Sequence, residues 1–343
     1  MSKVTKVLFH WEIDKELKEH FEKKFQKNKK IELIFPKDMS EKNLIRIAKD
    51  VDVIVGWRPS MELLNASEKI KLFINPGTGI KHHIENFRKL QKTKNVTLVN
   101  GHGHAYSTAQ HTVAMLLSLM NRIVSHHNQM VNGVWRMSDD KDVMSSSVQL
   151  RNKKIGLLGY GAINKYVHRF LSGFENEFNV LKYSWVKDKT KFPTKIKKFT
   201  SKNLNTFLKE SDILIIAVPH TAMTENMIKA SELKLLGLEG ILVNVARGTI
   251  VNEKDLYDGL KKKVIAGAAL DVWYNYSPKK DKEGKAFPSS KPFGKLKNVV
   301  LSPHRAASPF DEISRWDEVI ANIQKVAAGK NDYLNIVDLN KEY

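Results

Sequence analysis

The stretch that decides the fold is KIGLLGYGAIN, residues 154–164. An apolar, strand-like run ends at Gly159, and a helical pattern starts after Gly161. Gly159 permits a tight turn, and Gly161 lets the backbone approach a pyrophosphate, which would lie on the N–H groups and positive dipole of the helix. Asn164 replaces the usual third glycine, and we expect it to loosen the packing of helix against strand. Although a lone G-x-G is often only a turn, its place between strand and helix predicts a dinucleotide site.

Strand-like and helical segments alternate along the rest of the chain. Apolar, β-branched runs predict strands at residues 4–10, 31–36, 51–57, 71–76 and 96–100, and then at 154–158, 179–185, 213–218, 241–245, 264–270 and 299–302. Amphipathic stretches separate many of them, with one long helical pattern at 105–131 and another at 311–328. This alternation predicts βαβ units and parallel sheets, and 343 residues suffice for two domains.

The composition narrows the class of protein. Hydrophobic residues make up 42% and charged residues 27%, which is typical of a globular protein. The chain has no cysteine, which excludes disulfides, thiolate nucleophiles and Cys-ligated metals, and we predict no metal site. Residues 1–9 lack the apolar stretch of a signal peptide, and the apolar run at 113–120 is too short to span a bilayer. We therefore expect a cytoplasmic protein.

The net charge of +20 comes from 57 Lys and Arg residues, only ten of which are arginine. The densest basic runs, at 22–30, 187–202 and 279–285, contain too few aromatic residues for a platform that stacks single-stranded nucleic acid. We interpret the lysines as a solvated surface, which would also help to collect an acidic substrate or cofactor. Neither nucleic acid nor a membrane is a predicted partner.

Three polar residues follow three successive strand-like runs. They are Arg247 in NVARG (244–248), Asp271 in DVW (271–273) and His304 in SPH (302–304). Each alone also has a structural interpretation, as an ion-pair partner, a strand end or a helix cap. The ends of strands in an open parallel sheet gather around one crevice, so we expect the three near the dinucleotide. An arginine and a histidine there suit hydride transfer to an anionic carbonyl compound.

Over nearly its whole length, the chain resembles the D-isomer-specific 2-hydroxyacid dehydrogenases. The resemblance rests on the segments quoted above and on four others. These are PGTGI (76–80), similar to the family's substrate loop; residues 100–111, similar to the lead into its long interdomain helix; GVW (133–135), similar to the end of that helix; and VPHT (218–221) with Thr224, similar to the segment after the fourth strand of its NAD domain.

The resemblance implies the fold class and the domain bounds. We expect an α/β protein of two doubly wound domains, a Rossmann NAD(P)-binding domain and a flavodoxin-like substrate domain. Residues 105–308, including the long interdomain helix, would form the first, and residues 1–104 with 309–343 the second. The helix that starts at Ala105 would carry the contacts of a homodimer.

The resemblance also implies an NAD(P)-dependent enzyme that interconverts a small 2-oxo acid and a D-2-hydroxy acid. Arg247 would bind the substrate carboxylate and polarise the carbonyl, and His304 would act as acid and base at the carbonyl oxygen. Asp271 would hold the nicotinamide carboxamide. The other implied cofactor-binding residues are Gly159, Gly161, Ala162, Ile163, Ser184, Pro219, Thr224, Val245 and Ala246. The implied substrate-binding residues are Gly77, Thr78, Gly79 and His104.

Three residues depart from the family pattern. Tyr276 stands five residues after the aspartate, where the family usually has a Glu that hydrogen-bonds the histidine, and a phenol is neutral at ordinary pH. Gln110 replaces a Glu before His111, and His104 stands where an Asn often contacts substrate. We therefore predict a retained catalytic pair with an altered support. Tyr276, the third predicted residue of the catalytic site, stands in the position of the acid, and Asp281 and Glu283 in the following loop could supply an acid in its place.

The cofactor is predicted to be NAD or NADP. A site that prefers NAD usually has an acid at the end of the second strand, but Ser184 occupies that position and Lys187 and Lys189 follow. Asp188 is present, although we expect it to come too late in the chain. Serine and lysines would tolerate a 2′-phosphate, which slightly favours NADP; the alternative interpretation is an ordinary lysine-bearing loop.

Two other functions fit the sequence less well. A formate-dehydrogenase-like oxidation needs no proton acceptor of the same kind, but Asn275-Tyr276 differs from the Pro-Gln of formate dehydrogenases. A dinucleotide-sensing binding protein, as in the corepressor relatives, would turn over little, and the retention of both Arg247 and His304 argues against it. The predicted partners are a small anionic 2-oxo or 2-hydroxy acid and a second copy of the chain.

Overall fold

The computed structural model describes residues 4–135, 146–186, 188–309 and 312–343. The chain divides into two compact units. The first unit consists of Met1–His104 with Phe310–Tyr343, and the second unit consists of Ala105–Pro309. None of the helices in the described ranges is long and apolar enough to cross a membrane.

The first unit is built on a five-stranded parallel sheet. Its strands are β1 (Thr5–Phe9), β2 (Ile31–Ile34), β3 (Val53–Val55), β4 (Leu72–Asn75) and β5 (Thr97–Asn100), and its helices are α1 (Lys15–Phe25), α2 (Glu41–Ala48), α3 (Met61–Ala66), α4 (Lys81–Leu90) and α11 (Asp317–Ala327). The strand order is β2-β1-β3-β4-β5, as in flavodoxin-like folds. Side chains of α2, α3 and α4 cover one face, and those of α1 and α11 cover the other, which explains why β3 and residues 72–74 of β4 are all apolar.

The second unit is built on a seven-stranded parallel sheet. Its strands are β6 (Lys154–Leu158), β7 (Glu177–Lys182), β8 (Ile196–Thr200), β9 (Ile213–Ile216), β10 (Ile241–Asn244), β11 (Gly267–Leu270) and β12 (Val299–Leu301), and its helices are α5 (Ala105–Met120), α6 (Ile123–Val131), α7 (Ala162–Leu171), α8 (Leu204–Lys209), α9 (Ala230–Leu236) and α10 (Glu253–Lys261). The order β12-β11-β10-β9-β6-β7-β8 is a Rossmann sheet with one added strand. The predicted fold class, α/β with two doubly wound domains, is confirmed.

Two elements differ from the sequence prediction. The run of lysines at 187–202 contains β8, a strand at the sheet edge, where lysines at Lys197 and Lys198 discourage pairing with another chain. The single helix predicted at 105–131 is wrong, because Arg122 adopts a left-handed φ of 54° and its N–H bonds the Leu119 carbonyl at 3.2 Å, which ends α5. A new helix, α6, follows at once.

The last predicted helix is also shorter than expected. A 3-10 turn at Ile313–Trp316 precedes α11, and the predicted start of the helix, at residue 311, lies outside the described residues. Trp316 is buried among the side chains of α1 and the first sheet, so this turn anchors the returning chain in the core of the first unit.

Candidate active site

The turn after β6 has the properties of a pyrophosphate site. Gly159 adopts a φ of 83°, and a Cβ there would stand 2.8 Å from the Ala217 carbonyl oxygen, so only glycine fits. At Gly161 a Cβ would meet nothing within 4 Å, and no described side chain caps the start of α7. The N–H groups at the start of α7 therefore have no side-chain cap among the described residues and are available to a phosphate. The residues of this turn, with Ala162 and Ile163 in the first turn of α7, fit a dinucleotide.

Buried polar side chains hold this turn in place. Asn164 is fully buried, and its amide donates to the Gly159 carbonyl at 2.6 Å, so it binds the turn directly. The hydroxyl of Tyr160 lies 2.7 Å from Nδ1 of His168, whose Nε2 lies 2.8 Å from the Thr194 hydroxyl. Burial lowers the pKa of His168 to about 4, so the ring is neutral at physiological pH.

The predicted ribose-binding region follows β7. Ser184 is exposed, and its hydroxyl accepts from the Val186 N–H at 3.1 Å; Lys187 lies outside the described residues. Asp188 is brought back to the end of β7, where its carboxylate accepts from Lys182 at 2.7 Å. This ion pair holds the pKa of Asp188 well below its usual value. Asp188, which we expected to come too late in the chain, therefore lies beside Lys182, the last residue of β7, and forms an ion pair with it.

His304 lies in a turn that Asp271 holds from both sides. The fully buried carboxylate of Asp271 accepts from the hydroxyl of Ser302, from the Arg305 N–H at 2.7 Å and from the Ala306 N–H at 3.0 Å. His304 itself adopts a left-handed φ of 57°, an uncommon conformation for histidine that needs such support. Asp271 therefore fixes the backbone on which His304 stands.

A buried polar side chain also holds the backbone at Arg247. The amide of Asn244 accepts from the Ala246 N–H at 3.1 Å and donates to the Arg247 carbonyl at 2.9 Å, while Nη1 of Arg247 donates to the Ala246 carbonyl at 2.6 Å. A Cβ on Gly248 would stand 2.4 Å from the carbonyl oxygen of Trp273. The indole of Trp273 donates in turn to the Ser302 carbonyl at 2.9 Å. The three predicted segments are thus joined in one structure.

Tyr276 completes this cluster. Its ring lies edge-on to His304, with the two ring centroids 5.3 Å apart, and its hydroxyl accepts from the Trp273 N–H at 3.3 Å. About half of the ring is exposed, but partial burial of the phenol still raises its pKa, so it is neutral at physiological pH.

The electrostatics of the cluster keep the histidine neutral. Burial has the largest effect on the pKa of His304 and lowers it, and the Arg247 cation lowers it further. The negative charge of Asp271 raises the pKa of His304, but this effect is smaller than the other two. Arg247 is itself desolvated, which lowers its pKa, but a guanidinium remains charged. The second unit therefore presents a partly buried cation beside a histidine that takes up a proton only below its usual pKa.

In the first unit, the loop after β4 presents free backbone N–H groups. The carbonyl of Gly77 accepts from the amide of Asn75, and the carbonyl of Thr78 accepts from the amide of Asn100 at 2.8 Å. Within the described residues, the N–H groups of Gly77, Thr78 and Gly79 donate no hydrogen bond. The Thr78 hydroxyl lies 3.0 Å from Nε2 of His104. Because the carbonyls of this loop are bonded to buried amides and its N–H groups remain free, the loop is suited to bind an anion.

The remaining predicted residues lie near the turns but have less direct roles. Thr224 donates its hydroxyl to the Pro219 carbonyl at 2.6 Å and accepts from the Thr221 N–H at 2.9 Å, so it closes its own turn. Val245 and Ala246 are buried directly after β10. Among the described residues, no group of three His, Asp or Glu side chains could hold a metal ion.

Sequence reasoning missed the residues that support the site. Asn75, Asn100 and Asn244 each end a strand and are buried. Asn75 and Asn244 bond the loop that follows their own strand, and Asn100 bonds the loop after β4. Ser302 links Asp271 to His111, whose Nε2 lies 3.0 Å from its hydroxyl. An asparagine at the end of an apolar strand could have identified these three supporting residues from the sequence.

Comparison with known proteins supports the fold and identifies the family. Residues 113–306 match the model of the NAD-binding domain of D-isomer specific 2-hydroxyacid dehydrogenases. Glyoxylate reductase from Korarchaeum cryptofilum is 29% identical over 287 residues, which are 82% of this chain and 81% of that protein. Glyoxylate reductase from Pyrococcus furiosus is 29% identical over 315 residues, 89% and 87% of the two chains.

Solved structures share the architecture. The D-isomer specific 2-hydroxyacid dehydrogenase from Xanthobacter autotrophicus Py2, in complex with NADPH and MES, covers all of both chains with a TM-score of 0.76 at 19% identity. An acyclic imino acid reductase in complex with NADPH and D-Arg covers 97% of this chain with a TM-score of 0.74 at 21% identity. With the match over more than half of the sequence, the chain belongs to the D-isomer-specific 2-hydroxyacid dehydrogenase family and is an NAD(P)-dependent oxidoreductase.

Proposed function

We propose that this enzyme reduces a small 2-oxo acid to the D-2-hydroxy acid, with Arg247 and His304 as its catalytic residues. The observation that carries the proposal is that Asn244, Asp271 and the Trp273 indole hold the backbone segments that carry these two side chains. Such support is expected where a catalytic group must hold its geometry. Relatives of similar length are named glyoxylate reductases, which is consistent with a small 2-oxo acid.

Each residue has a chemical role in this proposal. Arg247 binds the substrate carboxylate and draws electron density from the carbonyl. In the first unit, the free N–H groups of Gly77 and Gly79 are donors suited to an anion, which agrees with the resemblance of this loop to the family's substrate loop. A bound nicotinamide would supply the hydride, and Asp271, besides positioning His304, would hold its carboxamide, as the resemblance to the family implies. His304 gives its proton to the carbonyl oxygen as the alcohol forms. Tyr276, neutral and edge-on, supports the histidine where an acid is usual.

A panel of substrates tests this function. Glyoxylate, hydroxypyruvate, pyruvate and formate with its matching oxidised cofactor would be assayed by nicotinamide absorbance. We expect reduction of at least one 2-oxo acid and no oxidation of formate. Arg247→Ala should reduce turnover by more than 100-fold with little change in dinucleotide affinity, because Arg247 serves the substrate. Tight dinucleotide binding with no turnover on a broad panel would instead favour the sensing protein.

We also propose that NADP is accepted at least as well as NAD. Ser184, which is neutral and exposed, stands where an acid would repel a 2′-phosphate, and the nearby Asp188 carboxylate is already neutralised by its ion pair with Lys182. Several structures that share the fold were solved with NADPH or NADP. Ser184→Asp should lower kcat/KM for NADPH severalfold relative to NADH, and strong selectivity for NADH in the unmodified enzyme would contradict the proposal.

A homodimer is proposed from the surface of α6. None of its described side chains is buried, and Ile123, Val124, Met130 and Val131 are each 46–71% exposed. Apolar side chains gathered on one exposed helix are typical of an interface. Light scattering should give twice the mass of the chain, and Val131→Lys should shift the population toward the monomer; a monomeric unmodified protein would refute the dimer.

A further inference from the structure

A buried histidine links the turn after β6 to the loop after β7. His168 lies on α7 and is fully buried. Its Nδ1 atom lies 2.7 Å from the hydroxyl of Tyr160, the residue between the two glycines of the turn. Its Nε2 atom lies 2.8 Å from the hydroxyl of Thr194, near the end of the loop. One imidazole ring therefore contacts both segments.

The two hydrogen bonds of His168 depend on each other. Burial lowers the pKa of His168 to about 4, so near pH 7 the ring is neutral and carries one N–H. It donates to one of the two hydroxyls and accepts from the other. Because a buried nitrogen without a partner is costly, the loss of either hydroxyl disturbs the whole network.

Other side chains of the loop also pack near Tyr160. The ring centroid of Phe192 lies 5.1 Å from that of Tyr160 and 6.1 Å from that of Trp185. The indole of Trp185 donates in turn to the Phe199 carbonyl of β8 at 2.8 Å. Burial raises the pKa of Tyr160 to about 12, and the charge of Asp188 raises it as well. Tyr160 is therefore the residue of the turn against which the loop is held.

This loop is the part of a Rossmann fold that binds the adenosine ribose of a dinucleotide, because it follows the second strand of the nucleotide-binding unit. Its described residues are 183–186 and 188–195. The pyrophosphate of the same dinucleotide would lie at the turn after β6. A loop that is already held at the correct distance from the turn loses less conformational entropy when the ligand binds.

We propose that His168 is a positioning residue for the dinucleotide. Through Tyr160 and Thr194 it holds the ribose-binding loop at the pyrophosphate turn, and it thereby sets the affinity for the adenosine half of the cofactor. The inference deepens the proposed use of NADP at this loop, but it does not depend on Arg247 or His304. It assigns a function to a buried histidine that takes no part in the hydride transfer.

Calorimetry with NADPH, NADH and ADP-ribose tests the proposal without turnover. Thr194→Val removes the hydroxyl at the loop but keeps its shape, at a residue that is only half-buried, and Tyr160→Phe does the same at the turn. Each variant should bind the preferred dinucleotide about threefold to tenfold more weakly, and ADP-ribose, which lacks the nicotinamide, should lose affinity by the same factor. In turnover, KM for the dinucleotide should rise equally, while kcat at saturating dinucleotide changes by less than about twofold.

The double variant Tyr160→Phe/Thr194→Val separates a network from two independent contacts. The two hydrogen bonds lie in series between the turn and the loop, so breaking either one releases the loop. The double variant should therefore lose about as much affinity as the weaker-binding single variant. Losses that multiply in the double variant would show that the two hydroxyls act separately, and would overturn the proposal.

Asn298→Ala is the matched control. Asn298 precedes β12, at the opposite edge of the sheet from β8, and its buried amide donates to the carbonyls of Leu260 at 3.2 Å and Ala266 at 3.1 Å. This variant should lower the melting temperature but leave dinucleotide affinity within about twofold, since it shares no partner with the network.

The proposal is overturned if Thr194→Val and Tyr160→Phe bind the dinucleotide normally, if Asn298→Ala weakens binding equally, or if the unmodified protein binds none of the three ligands. Weakened binding in the two network variants of a protein that reduces no 2-oxo acid would uphold this inference and reject the proposed function. Reduction of a 2-oxo acid with unchanged dinucleotide affinity in both variants would do the reverse.

Discussion

The loop at Gly77–Gly79 and the turn at His304 are held by opposite kinds of side chain. In the first unit, buried amides of Asn75 and Asn100 donate to inward-facing carbonyls. In the second unit, the buried carboxylate of Asp271 accepts from inward-facing N–H groups. The choice follows from which backbone groups face the interior, because a buried donor or acceptor without a partner is costly.

The two supports also suit the charges that they serve. A neutral amide below the Gly77–Gly79 loop adds no negative charge to a site for an anion, whereas a carboxylate there would repel it. A carboxylate beside His304 partly offsets the Arg247 cation, and the pKa of His304 is lowered by less than burial and Arg247 alone would cause. Three predictions test whether these supports can be exchanged.

The largest effect is expected when the charge of Asp271 is removed. Asp271→Asn turns an amide N–H₂ toward backbone N–H groups that need acceptors, so the turn should shift and His304 with it. We expect kcat to fall by about 100-fold or more, since displacement of a catalytic group by about 1 Å has an effect of that order. Steady-state kinetics and thermal unfolding would measure both consequences.

Ser302→Ala is the matched control for this change. It removes one of the three donors to Asp271 but keeps the carboxylate and both N–H bonds. We expect a loss in kcat of less than about tenfold, in line with one hydrogen bond. Equal losses in the two variants would show that the charge of Asp271 is not what holds His304.

The sequence was sufficient for features whose cause is local. A tight turn needs Gly159 and an open approach needs Gly161, and both properties can be read without knowing the fold. The support by Asn75 could not be read in the same way, because its partner is a carbonyl two residues later and depends on the direction of the loop. β8 was hidden for another reason: its outward lysines protect an edge, and local charge masks the strand pattern.

A smaller effect is expected when the amide of Asn75 is exchanged for a carboxylate. Asn75→Asp keeps the size but removes the donor to the Gly77 carbonyl and places an acid beneath the proposed carboxylate site. His83 lies 3.2 Å from Oδ1 of Asn75, and burial lowers the pKa of His83 to about 3, so the ring is neutral in the unmodified enzyme near pH 7. KM for the 2-oxo acid should rise by about tenfold to 100-fold, with a smaller change in kcat.

Asn322→Asp separates this effect from a general loss of stability. Asn322 is a buried amide of α11 in the same unit, and it bonds the Leu334 backbone as donor at 3.2 Å and as acceptor at 2.7 Å. Both variants should lower the melting temperature, but only Asn75→Asp should raise KM. A similar rise in KM for Asn322→Asp would mean that the loop responds to unit stability and not to the charge beneath it.

The smallest effect is expected from a second carboxylate beside His304, and it concerns pH more than rate. In the unmodified enzyme, burial and Arg247 lower the pKa of His304. The protonated form needed for reduction is therefore complete only at acidic pH and is lost as pH rises through that lowered pKa. Reduction should accordingly be fastest under mildly acidic conditions.

In Tyr276→Glu, a carboxylate favours the imidazolium, so the descending limb of the pH profile of kcat/KM should move upward by about 1 pH unit. Tyr276→Phe, which keeps the ring near His304 but has no ionisable group, should leave the limb in place. A limb that stays put in Tyr276→Glu, with turnover retained, would mean that the proton on His304 is controlled from elsewhere, and Asp271, the carboxylate already bonded to both sides of the histidine, would then be the support that sets it.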